Sequence, residues 1–215
     1  MAVSTIDTST VAPHERIDFW RSTVCDQFVT LDVSPAAGEL MHGYVQATAV
    51  GDVQVRAIGA SGHRFERTTR LVRRADEDYY HIALARRGRS TFAQDGREAV
   101  VGPGDFVLYD STRPFTVVTD DEFDYSICLL PKRLLPLPEA YLAAATAIRF
   151  DGRRGVGAMV PPFLAALRRL GDGLGIATED AMAQTVVDLC VAVVTSEVAL
   201  HSFPTRRSSD LKSVV

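Results

Sequence analysis

The sequence predicts an α+β fold: an antiparallel β-barrel, or jelly roll, with one helix before it and a helical pair after it. Three observations predict it. Between Met41 and Leu130, short apolar runs alternate with turns rich in Gly, Pro and Asp, the pattern of many short strands in a barrel or sandwich. No long helical stretch separates those runs, which counts against a parallel βαβ order. Apolar residues recur at helical spacing only before and after this stretch.

Met1 to Ala12 is rich in Ser and Thr without periodicity and reads as a mobile arm, residues 1–12. Pro13 suits a first helical turn. Ile17, Trp20, Val24 and Phe28 then follow at helical spacing, with Trp20 expected on the buried face. Pro35 to Gly38 breaks the chain. Met41–Val50 and Val53–Ile58 flank Gly51-Asp52 as a hairpin, and Tyr79–Ala85 is an apolar strand. Ser90–Gln94 and Glu98–Val101 flank Asp95-Gly96, a turn pair suited to a two-residue hairpin. Phe106–Tyr109, Phe115–Val118 and Phe123–Leu130 complete the barrel, so that residues 13–136 hold the first helix and the strands.

Residues 137–200 read as helical. Val156, Met159, Val160, Phe163, Leu164, Leu167 and Leu170 share one face, with Pro161 and Pro162 near its start as a source of kinking. Thr178 reads as an N-cap followed by Glu179 and Asp180. Met182, Val186, Leu189 and Val193 recur at 4-3-4 spacing, and Leu200 falls one heptad on. That seam suits a helix–helix interface, either within the chain or across a homodimer.

Composition narrows the functional classes. The net charge is −4 and the pI about 5.7, against a freestanding nucleic-acid binder, which carries a basic excess or stripe. No stretch reads as a membrane span; the best candidate, Ala181 to Leu200, carries Gln184, Asp188 and Glu197. Cys25, Cys128 and Cys190 lie far apart without a CxxC, the usage of reduced thiols in the cytoplasm.

No catalytic residue, metal ligand or cofactor follows from the sequence. His42, His63 and His81 are scattered singly, whereas a metal site needs three or four convergent ligands. There is no GxSxG, no Cys with an obvious His partner and no Gly-rich loop opening a helix. What remains is a barrel with a mixed interior. Arg56, Arg64, Tyr80, His81, Tyr109 and Tyr125, with Tyr79 beside them, are candidates to line a pocket for a small organic ligand. Period-two alternation turns only about half of such strand residues inward.

The segment from Arg87 to Phe115, with its Pro103-Gly104-Asp105 turn, resembles the second half of a cupin barrel. The position of the cupin metal-ligating His falls near Pro114 or Phe115, which cannot bind metal. PGDFVLYDSTRPF followed by FDYSICLLPKRLLPLP, together with DFWRSTVCDQFV and HRFERT, resembles the regulatory half of AraC/XylS-type transcriptional regulators, in their AraC-binding-like group. The resemblance spans roughly residues 10–200. It implies a cupin-like effector-binding barrel, helices that dimerise, a small organic effector, and DNA contact only through a separate helix-turn-helix half that this sequence lacks. A stand-alone cupin enzyme, an isomerase or dioxygenase, is the alternative; a ligandless dimerisation platform is a third reading.

His201 to Leu211, HSFPTRRSSDL, breaks the helical pattern abruptly and resembles the translated reading frame of a sequencing-library adapter. Residues 201–215 are therefore read as an artefactual tail outside the fold.

Overall fold

The computed structural model describes residues 4–35, 41–74, 76, 78–119, 121–169 and 175–202, the last three as backbone only. Residues 203–215 of the adapter-like tail, and the side chain of Leu200, lie outside the described residues. Two antiparallel sheets face one another. The larger is built from β1 (Ser4–Asp7), β3 (Gly43–Val50), β4 (Val53–Ala60), β6 (Tyr79–Arg87), β9 (Phe106–Asp110), β11 (Phe123–Pro131) and β12 (Arg149–Phe150). Its order is β1-β3-β4-β11-β6-β9-β12. The smaller comprises β2 (Asp32–Pro35), β5 (His63–Arg67), β7 (Ser90–Gln94), β8 (Arg97–Val101) and β10 (Phe115–Thr119), in the order β2-β5-β10-β7-β8. The α+β, cupin-like fold read from the sequence is the observed one.

Turn chemistry sets the registers. Val50 pairs with Val53 across Gly51-Asp52. Gln94 pairs with Arg97 across Asp95 and Gly96, both at positive φ (52° and 75°), as a two-residue hairpin turn of this hand requires.

Each strand of the larger sheet serves two cores, because both sheet faces are covered. Along β6, Ala83 and Ala85 face the smaller sheet, while Tyr80, Ile82 and Leu84 face the helices. The inner core joins Trp20, Val24 and Phe28 of α1 (Arg16–Gln27 and its C-cap) to Val45, Phe65, Phe92, Phe115 and Tyr125. The outer core joins Val53, Val55, Cys128 and Leu130 to α3 (Glu139–Ala145), α4 (Val160–Leu167) and α5 (Ile176–Ser202).

Several elements depart from the sequence reading. Ser4–Asp7 is a strand, paired with Tyr44–Ala47, rather than part of a mobile arm. Thr5 and Ile6 are β-branched and suit an edge strand, and Gly43 N donates to Thr8 Oγ1 at 2.9 Å to hold the segment down. β2 and β5 were not among the expected strands. Ile17 is exposed, and Met159 stands largely in solvent outside the α4 face. Pro161 and Pro162 open α4 rather than kinking it, since a missing N–H costs nothing in the first turn. α5 begins at Ile176, ahead of Thr178.

The seam on α5 is used within the chain. Val186 and Val193 are buried and Met182 and Leu189 half-buried against the outer core, where Val186, Leu189 and Val193 line a narrow space together with Phe106, Phe163 and Leu164. By length and composition Ile176–Ala199 could cross a membrane, with mean hydropathy 1.5, which the sequence reading did not expect. Here that apolarity covers the sheet: Val186, Val187, Cys190, Val193 and Val194 are all buried in the protein.

Candidate functional site

The inner faces of the two sheets do not fill the barrel completely. A cavity of about 50 Å³ remains between them. Ile58, His81, Tyr109, Phe123, Tyr125 and Ile127 wall it from the larger sheet, and Phe65, Phe92, Phe115, Val117 and Thr119 from the smaller. Val24, Phe28, Val29 and Leu31 close it from above, so α1 and the segment after it form its roof.

His81 sits 1 % exposed with neither ring nitrogen bonded to the protein. Its ring meets Tyr109 edge-on with centroids 4.9 Å apart. Burial, reinforced by the Arg67 charge, drives its pKa down to about 3, against a smaller upward pull from Asp110. The imidazole is therefore neutral, with one donor and one acceptor at the cavity wall. Tyr125 Oη likewise has no well-formed hydrogen bond. Burial pushes its phenol up to about 12, with the Ser90 hydroxyl pulling weakly the other way. Burial also raises Tyr109, so both phenols stay protonated donors. Leaving a buried polar group unpaired, as both His81 ring nitrogens are, costs about 1–3 kcal/mol each, which marks His81 as a position where stability yields to another demand.

Of the six residues singled out in the sequence, the structure brings three to the cavity: His81, Tyr109 and Tyr125. Tyr80 is a correction. It points to the opposite face of β6, into the outer core, with Lys132 Nζ 4.9 Å from its ring and its phenol raised to about 12 mainly by burial. Arg64 is a second correction. It projects into solvent from β5, donating to Glu66 Oε2 at 3.2 Å. Arg56 takes the inward parity of Ile58 but stops short of the cavity. Its guanidinium donates to Gln27 O at 3.2 Å and Gln54 Oε1 at 2.6 Å, tying β4 to the end of α1.

Sequence reasoning took the roof residues Val24 and Phe28 only as helix core, and missed Val29, Leu31 and the four wall phenylalanines Phe65, Phe92, Phe115 and Phe123. A signal for Phe65 was present: in His63-Arg64-Phe65-Glu66-Arg67 the mutually paired charges Arg64 and Glu66 alternate with buried residues, which assigns the faces of β5. Among the described residues, no group of three or more His, Cys, Asp or Glu side chains is placed to hold a metal ion.

Residues 20–195 match the model of the AraC-binding-like domain. The chain belongs to that family. Two similar proteins place this AraC-binding-like domain further. An uncharacterized protein in the nit 5' region of Bacillus sp. (strain OxB-1) is 31% identical over 192 residues, covering 89% of this chain and 74% of the relative. The crystal structure of the AraC-like transcriptional activator CuxR superposes with a TM-score of 0.80 at 19% identity, covering 90% of this chain and 70% of CuxR. At that identity the likeness to CuxR is one of fold. The family match itself, residues 20–195, runs through the barrel strands from β2 onward and the late helices α3, α4 and most of α5.

Proposed function

We propose that this AraC-binding-like domain senses a small organic effector for a transcriptional regulator, with DNA read by a helix-turn-helix half that is not part of this sequence. The observation that carries the reading is the cavity itself: an aromatic-walled space inside the barrel with unpartnered ring nitrogens on His81 and the Tyr125 hydroxyl, which has only Ser90 beside it. Small-molecule sites are built in this way, from apolar walls and a few polar anchors. The acidic balance of the chain suits a sensing half better than a DNA-reading one.

A space of about 50 Å³ is smaller than an organic ligand needs, so binding moves a wall. The roof is the wall made by a helix instead of a sheet. An occupant pressing on Val24 and Phe28 displaces α1, and with it the Trp20 contact to Gly43. Differential affinity for the two roof positions is what couples binding to output. We further propose that the regulator works in the cytoplasm as a homodimer. The packing of the Met182–Val193 seam against the chain's own core supports pairing through other parts of the surface.

A thermal-shift screen of small organic compounds on the 215-residue chain tests the effector reading. A binder that selects the folded state raises Tm with concentration, and Val117→Phe, which fills the cavity, abolishes the shift. A screen without any such compound would overturn it. Metal analysis of the purified protein tests the enzyme alternative, which stoichiometric iron, zinc or manganese would favour.

A further inference from the structure

The cavity wall is of two kinds. Most of it is aromatic or aliphatic; its polar anchors are the two unpartnered His81 ring nitrogens and the Tyr125 hydroxyl, which has only the Ser90 hydroxyl beside it. No Asp, Glu, Lys or Arg side chain is among its described lining residues. The charges that act on His81 from behind the wall are Arg67 and Asp110, and both are engaged elsewhere. Arg67 donates to Ser111 O and Thr30 O, each at 2.7 Å. Asp110 is held by Lys132 at 2.9 Å and Arg113 at 3.0 Å.

Each ligand class meets this wall differently. An anion would lose its hydration and find no free cation. A polyol would bring more hydroxyls than two anchors can satisfy. A bare hydrocarbon would fill the space and leave both anchors unpaired. A flat apolar body with a single hydroxyl or amide satisfies the anchors and lies against the phenylalanines, whose rings favour edge-to-face and offset contacts. The small volume favours the smallest such body, a single ring.

We propose that the occupant of the barrel is an uncharged, single-ring aromatic compound carrying one hydroxyl or amide, hydrogen-bonded at the His81 imidazole and the Tyr125 hydroxyl. This rests on the effector reading and names the chemistry of that same site. It makes His81 and Tyr125 specificity residues and Phe92, which packs near both Tyr109 and Tyr125 (5.6 and 5.9 Å between ring centroids), a wall of the ring site.

The test compares benzyl alcohol, toluene, benzoate and glucose on the full 215-residue chain, by thermal shift and by calorimetric titration. Benzyl alcohol should bind about tenfold more tightly than toluene, the worth of one neutral buried hydrogen bond, while benzoate and glucose produce no shift. Tyr125→Phe and His81→Phe should each reduce that tenfold preference while toluene still binds. His81→Phe deletes unpartnered ring nitrogens and Tyr125→Phe a hydroxyl with only Ser90 beside it, and if one fails to fold the other carries the comparison. Benzoate or glucose binding more tightly than benzyl alcohol would overturn the ligand class and leave the effector reading intact. Equal binding of toluene and benzyl alcohol would overturn the anchor assignment. No shift with any of the four would overturn the proposal, whereas the effector reading stands or falls on the wider screen.

Discussion

Asp110 Oδ2 and Lys132 Nζ lie 2.9 Å apart at one end of the barrel, and the carboxylate is fully buried. Burial alone would raise the Asp110 pKa, but hydrogen bonds from Lys132 and Thr112 hold it below the usual carboxylate value. The same residue joins the two sheets. Gln94 of β7 accepts from Asp110 N and donates to Asp110 O, both at 2.8 Å. His81 pairs with Tyr109, the residue before Asp110, so this joint stands directly behind the cavity wall.

Removing either partner should be costly to different degrees. Asp110→Ala strips the charge from a site lined by Lys132 and Arg113 and should lose about 3–5 kcal/mol. Lys132→Met leaves Asp110 with Arg113 and Thr112 and should lose about 1–2 kcal/mol. Urea unfolding at pH 7 gives both values, and a larger loss for Lys132→Met would reverse the assignment of roles.

Buried, uncharged His81 predicts an early acid limb in stability. Its folded pKa of about 3 lies below the ordinary value of 6.5. Above pH 6.5 both states are neutral there and its contribution is fully present. As pH falls below 6.5 the unfolded chain takes up a proton that the folded chain refuses, so stability drops by about 1.4 kcal/mol per pH unit. Between pH 7 and pH 5 the protein should therefore lose about 2 kcal/mol more than His81→Phe does. Carboxylates, Asp110 included, titrate mainly below this window. Parallel losses in the two proteins would show that His81 is not held neutral.

These positions also show how far the sequence was legible. His81, Tyr109 and Tyr125 were found because aromatic and imidazole groups stand out in strands. Tyr80 was misplaced because β6 is apolar on both faces, so Tyr79-Tyr80-His81-Ile82-Ala83-Leu84 carries no alternation from which to read parity. The N-terminal strand was hidden by its Ser and Thr content, although Thr5 and Ile6 are good strand formers. The 4-3-4 seam on α5 was visible, but spacing alone does not say whether its partner is the same chain.

Trp20 supplies a probe of the roof. It is the single tryptophan, 1 % exposed, and a Cβ on Gly43 would lie 2.9 Å from two atoms of its indole. Only glycine lets β3 approach the ring so closely. Trp20→Ala should cost about 3–5 kcal/mol. Gly43→Ala should cost about 1–3 kcal/mol through overpacking, with the indole emission shifting to the red as the ring is displaced. Emission already typical of a water-exposed indole in the unsubstituted protein would contradict the buried placement.

The seam on α5 yields a prediction about concentration. Val186 and Val193 are 4% and 6% exposed against the chain's own sheet and helices. If their burial belongs to the single chain, Val186→Ala should lose about 2 kcal/mol from two buried carbons and the void they leave. The loss should be the same at micromolar and at hundred-micromolar protein, because a contact within one chain adds no concentration term of its own and pairing elsewhere on the surface shifts both proteins alike. Packing of this seam across a dimer would make the Val186→Ala loss itself change with protein concentration. Urea unfolding at the two concentrations separates these outcomes: pairing through other surfaces moves both midpoints alike and leaves the gap between them unchanged, whereas pairing through the seam makes the gap itself depend on concentration.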